Sequence, residues 1–254
     1  MRISRLLLLA PLLMGAAGAL PLAAVPISRM DTPWWRHRHE EKLAELHRGR
    51  VDLVFLGDSI TEDWEKAGGH GWDDFAPVWR RFYGDRHALN LGFKGDSTSH
   101  LLWRIEHGEV DGIDPKLAVV LIGANNFGRV HWDAEQTLTG IETVMAELHR
   151  RLPRTKILLV SVLPSQRSAW VDEQTRTLNR ALAAHDWRGV DARFIDVTPV
   201  FAQEGHLDRA LFLDPLLTPP DPPLHPTAQG QEKLAEAIEP AVSAALGDRN
   251  HSPR

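Results

Sequence analysis

The strongest constraint on the fold is an alternation of two kinds of segment after residue 49. Short apolar runs rich in β-branched residues are separated by longer amphipathic ones, and the short runs lie near 51–56, 87–91, 117–122, 156–162 and 193–197. This alternation is typical of a parallel sheet covered by helices on both faces. With 254 residues, of which 43% are apolar, the chain can bury one substantial core. We therefore expect a single α/β domain with a five-stranded parallel sheet.

Chemically reactive residue types stand where several of these strands end. Gly57-Asp58-Ser59 follows the first run, Gly92 ends the second, and Asn125 comes just after the third. His225 lies near the C-terminus, in Leu224-His225-Pro226. Open α/β folds keep their binding groups at the carboxyl ends of the strands. Each residue alone is ordinary turn or cap chemistry, but the four in this order predict a catalytic site.

In these four blocks the chain resembles the SGNH or GDSL hydrolases, which are named for the Ser, Gly, Asn and His that they share. Residues 87–105 and Gly123-Ala-Asn-Asn126 are similar to one branch of that family, the catalytic subunits of type I platelet-activating-factor acetylhydrolase and their bacterial relatives. The resemblance covers roughly Trp34 to Leu246. It implies a three-layer α/β/α domain with the flavodoxin-like SGNH hydrolase fold.

The resemblance also implies a serine esterase that works through an acyl-enzyme. Ser59 would attack the ester carbonyl, and His225 would take the hydroxyl proton and pass it to the leaving alcohol. The backbone amides of Ser59 and Gly92 and the side-chain amide of Asn125 would bind the oxyanion. No cofactor and no metal are implied, and a homodimer is allowed by the same analogy. Lys94, Arg104 and Arg129, which lie near these blocks, are candidates for charges at the rim of the site.

One departure from the family pattern concerns the residue that orients the histidine. The family places an aspartate three residues before the histidine, and Pro222 occupies that position here. Proline has no side-chain acceptor for the imidazole N–H. We predict that Asp221, four residues before His225, reaches the ring through an altered loop and completes a triad. Two alternatives stay open: a dyad in which a backbone carbonyl orients the ring, and help from Asp214.

The first residues have the pattern of a secretory signal peptide. Met1-Arg-Ile-Ser-Arg5 is basic, and residues 6–25 carry no charge. We predict a signal peptide over 1–24, with small residues for cleavage at Ala17-Gly18-Ala19 or at Ala23-Ala24. An uncleaved anchor is the rival, since about 20 apolar residues can span a bilayer, but the prolines and glycines of this stretch favour cleavage. We expect a secreted or periplasmic protein without stable membrane association after cleavage.

The rest of the chain divides into three further segments. We expect residues 25–49 to form an N-terminal extension and opening helix, 50–247 to form the hydrolase domain, and 248–254 to form a flexible tail. The chain has no cysteine, which excludes disulfides and a lipid-modified N-terminal cysteine. Without residues 1–24, 27 Lys and Arg face 34 Asp and Glu, a net charge of −7. This balance provides no basic excess for binding nucleic acid.

The sequence indicates an ester substrate but does not identify the acyl group or the alcohol. The acetylhydrolase branch suggests short-acyl and especially acetyl esters of a small molecule or a glycan. Lipase and thioesterase activity remain alternatives with the same mechanism. A noncatalytic glycan-binding module that kept the fold is the alternative from another class, and its only support is the displaced aspartate.

Overall fold

The computed structural model describes residues 19–252 and contains a five-stranded, all-parallel sheet. The strand order is β2-β1-β3-β4-β5. The strands are β1 (Leu53–Gly57), β2 (Ala88–Gly92), β3 (Leu117–Leu121), β4 (Lys156–Val160) and β5 (Ala192–Ile195). The predicted parallel α/β sheet is therefore confirmed. Residues 1–18 of the predicted signal peptide lie outside the described residues, as do residues 253 and 254 of the predicted tail.

The strands are connected mainly by helices. In chain order the helices are α1 (Pro33–Leu46), α2 (Ser59–Glu62), α3 (Ala76–Tyr83), α4 (Thr98–Glu106), α5 (Ala124–Gly128), α6 (Ala134–Arg151), α7 (Ala169–Ala184), α8 (Thr198–Phe201) and α9 (Ala228–Leu246). Short 3-10 turns cover Leu22–Ala24, Asp63–Glu65, Trp187–Val190, Arg209–Leu211 and Asp214–Leu216, and a two-residue hairpin pairs Ala202–Gln203 with His206–Leu207. Pro240 lies inside α9, which runs through this exposed residue as one helix.

Apolar side chains fill both faces of the sheet. Val54 and Leu56 of β1 point into a core formed with α4, α6 and α7, whereas Leu53 and Phe55 point into a second core formed with α3 and α9. Alternate residues of a strand face opposite sides of a sheet. The near-continuous apolar runs are thus explained by burial on both faces, and the domain has three layers, α/β/α, as predicted.

The turn Leu22–Ala24 belongs to the folded body. Ala23 and Ala24 are buried, and the Ala23 carbonyl accepts a hydrogen bond of 2.7 Å from the Thr98 hydroxyl. A Cβ atom at Gly140 of α6 would lie 2.5 Å from the Ala23 oxygen, so the turn approaches α6 as closely as only glycine permits. The segment 22–24, which we assigned to the signal peptide, is therefore packed between α4 and α6. In the part of the chain that the structure describes, no helix is long and apolar enough to cross a membrane.

Residues 248–252, predicted to be part of a flexible tail, are held by hydrogen bonds. The Asp248 carboxylate binds the Arg86 guanidinium at 2.8 and 2.9 Å. The backbone amide of His251 donates to Glu239, and its ring nitrogen lies 3.0 Å from the Phe82 carbonyl oxygen. The prediction of a frayed end is wrong here because buried charged groups before β2 and in α9 find partners in these residues.

Candidate active site

Ser59 is the first residue of α2, directly after the carboxyl end of β1. Asp58 caps this short helix, with its carboxylate accepting a hydrogen bond of 3.0 Å from the Ile60 amide. A Cβ atom at Gly57 would lie 2.3 Å from the Leu121 carbonyl oxygen on β3, so only glycine fits between β3 and the turn. The tight turn presents the Ser59 hydroxyl at the edge of the sheet, and the residue remains 7% exposed.

His225 reaches Ser59 from a loop between the last 3-10 turn and α9. Its Nε2 atom lies 3.0 Å from the Ser59 Oγ atom. The loop is held in a short antiparallel ladder, because the Leu213 amide donates to the His225 carbonyl at 2.9 Å and Phe212 bridges to Pro226. The structure thus brings together the predicted nucleophile and base, which are 166 residues apart in sequence.

Asp214, not Asp221, orients the imidazole. The Asp214 Oδ1 atom is 2.7 Å from His225 Nδ1, and its Oδ2 atom accepts the backbone amides of Leu224 and His225 at 2.7 and 2.6 Å. Asp221 is exposed, and its contact with this group is a hydrogen bond of 3.0 Å from its backbone amide to the Asp214 carbonyl. The prediction for Asp221 is wrong because the proline-rich loop leaves the site after Asp214 and returns only at Leu224.

The His225–Asp214 pair shifts both pKa values. Burial alone would lower the pKa of His225, but the hydrogen bond and negative charge of Asp214 outweigh burial and raise it above its ordinary value. Burial would likewise raise the pKa of Asp214, yet its hydrogen bonds and the charge of His225 lower it. Asp214 is therefore ionised at neutral pH and stabilises the imidazolium that forms when His225 accepts a proton.

Asn125 lies on the same edge of the sheet, in the first turn of α5 after β3. Its Nδ2 atom donates to the Asp96 carbonyl at 2.9 Å and to the Asp58 carboxylate at a longer 3.3 Å. The residue is 6% exposed. Both N–H groups of the side-chain amide are therefore engaged. The Asp96 carbonyl holds the amide in place, and a ligand would take the other N–H by replacing the longer bond to Asp58.

Gly92 does not have the free amide that an oxyanion donor requires. Its N–H donates to the Asn90 side chain at 2.8 Å. A Cβ atom at Gly92 would lie 2.2 Å from the Glu62 nitrogen, so this glycine permits close packing of α2 on β2. The expectation that Gly92 supplies an oxyanion donor is therefore wrong, because the strand end pairs this amide with its own neighbour.

Gly95 is the better candidate for a second backbone donor. It has φ of +78°, in the loop between β2 and α4, and the carbonyl of the next residue, Asp96, holds Asn125. Among residues 19–252, neither the Gly95 amide nor the Ser59 amide donates a hydrogen bond to a loop or turn carbonyl. The sequence signal for this donor is the second glycine of Gly92-Phe-Lys-Gly95. A glycine soon after a strand end indicates a loop residue with positive φ, which is the conformation that Gly95 adopts.

Asp58 is a buried carboxyl group directly behind the nucleophile. It is 0% exposed, and burial raises its pKa to about 7, against the lowering effects of the Ile60 amide and the His225 charge. This group thus titrates near neutral pH while it contacts Asn125. In residues 19–252 no set of three or more His, Asp or Glu side chains lies where it could hold a metal ion.

Comparison with known proteins identifies the family of the chain. The model of the GDSL-like Lipase/Acylhydrolase family matches residues 55–233, well over half of the chain. Platelet-activating factor acetylhydrolase IB subunit alpha1 of Bos taurus is 33% identical over 172 residues, which cover 66% of this chain and 67% of that protein. The alpha2 subunit of Rattus norvegicus is 27% identical over 229 residues, covering 90% and 91%.

Solved structures share the fold at lower identity. A GDSL-like lipase from Bacteroides thetaiotaomicron superposes with a TM-score of 0.65 at 20% identity, covering 82% of this chain and 97% of that one. A carbohydrate esterase family 3 protein from Talaromyces cellulolyticus gives a TM-score of 0.57 at 17% identity, covering 79% and 100%. At these identities the superpositions establish a common fold.

Proposed function

Because the chain belongs to the GDSL-like lipase/acylhydrolase family and is a carboxylic ester hydrolase, we propose that it hydrolyses short-acyl esters with Ser59 as the nucleophile. One observation carries this proposal: Ser59, His225 and Asp214 form a continuous hydrogen-bonded chain, with distances of 3.0 and 2.7 Å. This is the arrangement that activates a serine hydroxyl. The alternative of a noncatalytic module was based on the missing aspartate three residues before His225. Because Asp214 contacts the imidazole in its place, that argument no longer favours the alternative.

The first half of the reaction forms an acyl-enzyme. Ser59 Oγ attacks the carbonyl carbon as His225 Nε2 takes the hydroxyl proton, and Asp214 stabilises the resulting imidazolium. The oxyanion is bound by the Ser59 and Gly95 amides and by Asn125 Nδ2. When the tetrahedral intermediate collapses, the bond to the alcohol oxygen breaks and His225 gives its proton to the departing alcohol.

The second half releases the acid and restores the serine. Water attacks the acyl carbon and gives a proton to His225 Nε2. The carbon–Oγ bond breaks, and the proton returns to Ser59. His225 moves the proton in both halves, so the rate should rise with pH as His225 loses its proton.

The low exposure of the nucleophile favours a small acyl group. Ser59 and Asn125 are 7% and 6% exposed, so little of their surface is open to a bulky acyl chain. The similar proteins named above include acetylhydrolase subunits and a carbohydrate esterase, which supports a short acyl group and leaves both a lipid and a sugar as the alcohol part.

The test is hydrolysis of p-nitrophenyl acetate, butyrate and decanoate by the wild type and by Ser59→Ala. We expect turnover of acetate that Ser59→Ala abolishes, with kcat/KM falling steeply toward decanoate. Equal or faster hydrolysis of decanoate would identify a lipase instead. Hydrolysis that survives in Ser59→Ala would rule out the proposed nucleophile.

For localisation we propose export with cleavage after Ala19. Cleavage after Ala24 would remove the Ala23 carbonyl that Thr98 binds, whereas cleavage after Ala19 keeps the buried turn. Mass spectrometry of the exported protein should give Leu20 as the first residue. An N-terminus at Val25, or an uncleaved chain, would contradict this. A homodimer remains a prediction, which light scattering of the purified protein would test.

A further inference from the structure

Arg104 is a fully buried cation at the base of the candidate active site, not a charge at its rim. The residue belongs to α4 and is 0% exposed. Its Nη2 atom donates to the Gly57 carbonyl at 3.1 Å, and its Nη1 atom donates to the Leu91 carbonyl at 3.0 Å. Its Nε atom binds the Asp96 carboxylate at 2.8 Å, and Nη1 also binds Glu109. One guanidinium group thus contacts β1, β2 and the loop after β2.

These contacts fall on the backbone that carries the oxyanion donors. Gly57 is two residues before Ser59, and its carbonyl also accepts the Phe93 amide at 3.1 Å. Asp96 follows Gly95, and its own carbonyl accepts the Asn125 amide. The guanidinium therefore sets the separation between the turn of Ser59 and the loop of Gly95, and through Asp96 it positions Asn125.

Arginine is suited to this position for geometric reasons. Its planar fork directs N–H groups from three separate nitrogens at fixed angles, whereas the three N–H groups of lysine diverge from a single nitrogen and cannot span the same acceptors. The guanidinium also lies 4.0 Å from the centroid of the Phe93 ring, which fixes its plane. Buried ion pairs contribute little net stability compared with apolar packing, so stability alone gives a weak reason for a charge here.

We propose that Arg104 is a positioning residue for ester hydrolysis, which holds the Ser59 and Gly95 amides and Asn125 at the spacing that the oxyanion requires. The proposal rests on the esterase function proposed above. Arg104 contacts no substrate, and it acts through the Gly57 and Leu91 carbonyls and through Asp96.

The experiment compares Arg104→Lys with a matched control, Arg86→Lys. Arg86 is also buried and ion-paired, at 2.6 and 2.7 Å from Glu239, but it precedes β2 and so lies at the opposite edge of the sheet. Both variants should lose thermal stability. We expect kcat on p-nitrophenyl acetate to fall at least about tenfold in Arg104→Lys with KM within about threefold, because misplaced oxyanion donors affect the transition state. In Arg86→Lys, kcat should stay within about threefold of the wild type, since that pair touches no part of the site.

A double-mutant cycle tests the route through Asn125. If Arg104 acts by positioning the oxyanion donors, Arg104→Lys should lower kcat much less in an Asn125→Ala background than in the wild type. The reason is that Asn125→Ala has already removed one of the donors that Arg104 positions. Rates are measured above the Ser59→Ala background and well below each variant's melting temperature. If Arg104→Lys does not fold, Asp96→Asn, which keeps the backbone carbonyl, takes its place in the same cycle.

The results separate three cases. A loss of kcat specific to Arg104→Lys that shrinks in the Asn125→Ala background supports the proposal. Retention of kcat within threefold, an equal loss in Arg86→Lys, or full additivity with Asn125→Ala overturns it. If the wild type shows no Ser59-dependent hydrolysis, the esterase proposal itself fails. That result differs from an active wild type whose kcat is unchanged in Arg104→Lys, which overturns only the role of Arg104.

Discussion

Asp214 controls His225 through both of its carboxylate oxygens. One oxygen faces Nδ1, and the other holds the backbone amide of the same histidine. The ring therefore cannot rotate away from Ser59 without breaking a charge-assisted hydrogen bond. Because Asp214 raises the pKa of His225 against the effect of burial, the residue determines both the orientation and the basicity of the base.

This coupling predicts the pH dependence of the reaction. His225 must be neutral to accept a proton, so kcat/KM of the wild type should rise with pH through a pKa above the ordinary value of 6.5. In Asp214→Asn the burial effect prevails, so the midpoint of this rise should shift to lower pH. The loss of the charge should also lower kcat on the order of 10²–10⁴-fold. The measurement is kcat/KM for p-nitrophenyl acetate between pH 5 and 9.

Asp221→Asn is the matched control for this prediction. Its side chain is exposed and its backbone amide contact is unchanged by the substitution. The variant should keep the wild-type rate and profile. A large loss in Asp221→Asn with little loss in Asp214→Asn would reverse the assignment of the orienting carboxylate.

Asp58 predicts a dependence of stability on pH that is separate from the rate. Its pKa is about 7 in the folded protein and 3.8 ordinarily. Between these values the folded state binds more protons than the unfolded state, so the free energy of unfolding falls as pH rises from about 4 to about 7. Asp58→Asn keeps the helix cap and removes the titration. The stability of the variant relative to the wild type should therefore increase over that range, by up to about 4 kcal/mol, and stay constant above it.

The measurement is urea unfolding of both proteins at pH 4, 5.5, 7 and 8.5. Comparing the two at each pH cancels the titration of other groups. A stability difference that does not change with pH would show that Asp58 is ionised throughout. Unlike Asp214→Asn, this variant is judged by its unfolding free energy, so any effect on activity does not enter the result.

At the level of elements, the turn Leu22–Ala24 packs against both α4 and α6. The Thr98 hydroxyl at the start of α4 donates to Ala23 and accepts from the Asn126 side chain of α5, and the Thr98 amide donates to the same Asn126. The turn therefore completes a buried polar network that lies directly behind Asn125. Removing it would leave a buried hydroxyl with one partner fewer, which is costly in an apolar environment.

Truncation tests this role. A chain that begins at Val25 should be less stable than one that begins at Leu20, by about 2 kcal/mol, because it loses one buried hydrogen bond and the burial of two alanines. Denaturant midpoints of the two chains give the difference. Equal midpoints would show that the turn only rests on the surface, and the argument for cleavage after Ala19 would lose its basis.

For the whole molecule, the sequence predicts features that depend on neighbouring residues better than features that depend on distant ones. The strands of the sheet follow from continuous apolar runs, and Ser59 and Asn125 follow from their places after strand ends. Asp214 remained only an alternative to Asp221, because the choice between them depends on the path of the loop between Asp214 and His225. Arg104 was misjudged for a related reason: near the site in sequence, it looks like a surface charge until its acceptors on two strands are known.

The chain end illustrates the same dependence on distant partners and leads to a last prediction. Arg86, buried before β2, is shared by Glu239 of α9 and by Asp248 beyond it. Gly247 ends α9 in a left-handed conformation, with φ of +72°, and its amide and that of Asp248 bind the Ser243 carbonyl. A chain that stops at Leu246 loses this cap and one partner of Arg86. We expect it to be less stable by on the order of 2 kcal/mol, which calorimetry would show as a lower melting temperature.

The activity of the truncated chain is the control. Because these contacts lie at the amino-terminal ends of the strands, opposite the active site, kcat on p-nitrophenyl acetate should be unchanged at temperatures where the truncated chain is folded. A fall in kcat at those temperatures would mean that the two edges of the sheet are coupled, whereas an unchanged melting temperature would mean that Glu239 alone satisfies Arg86.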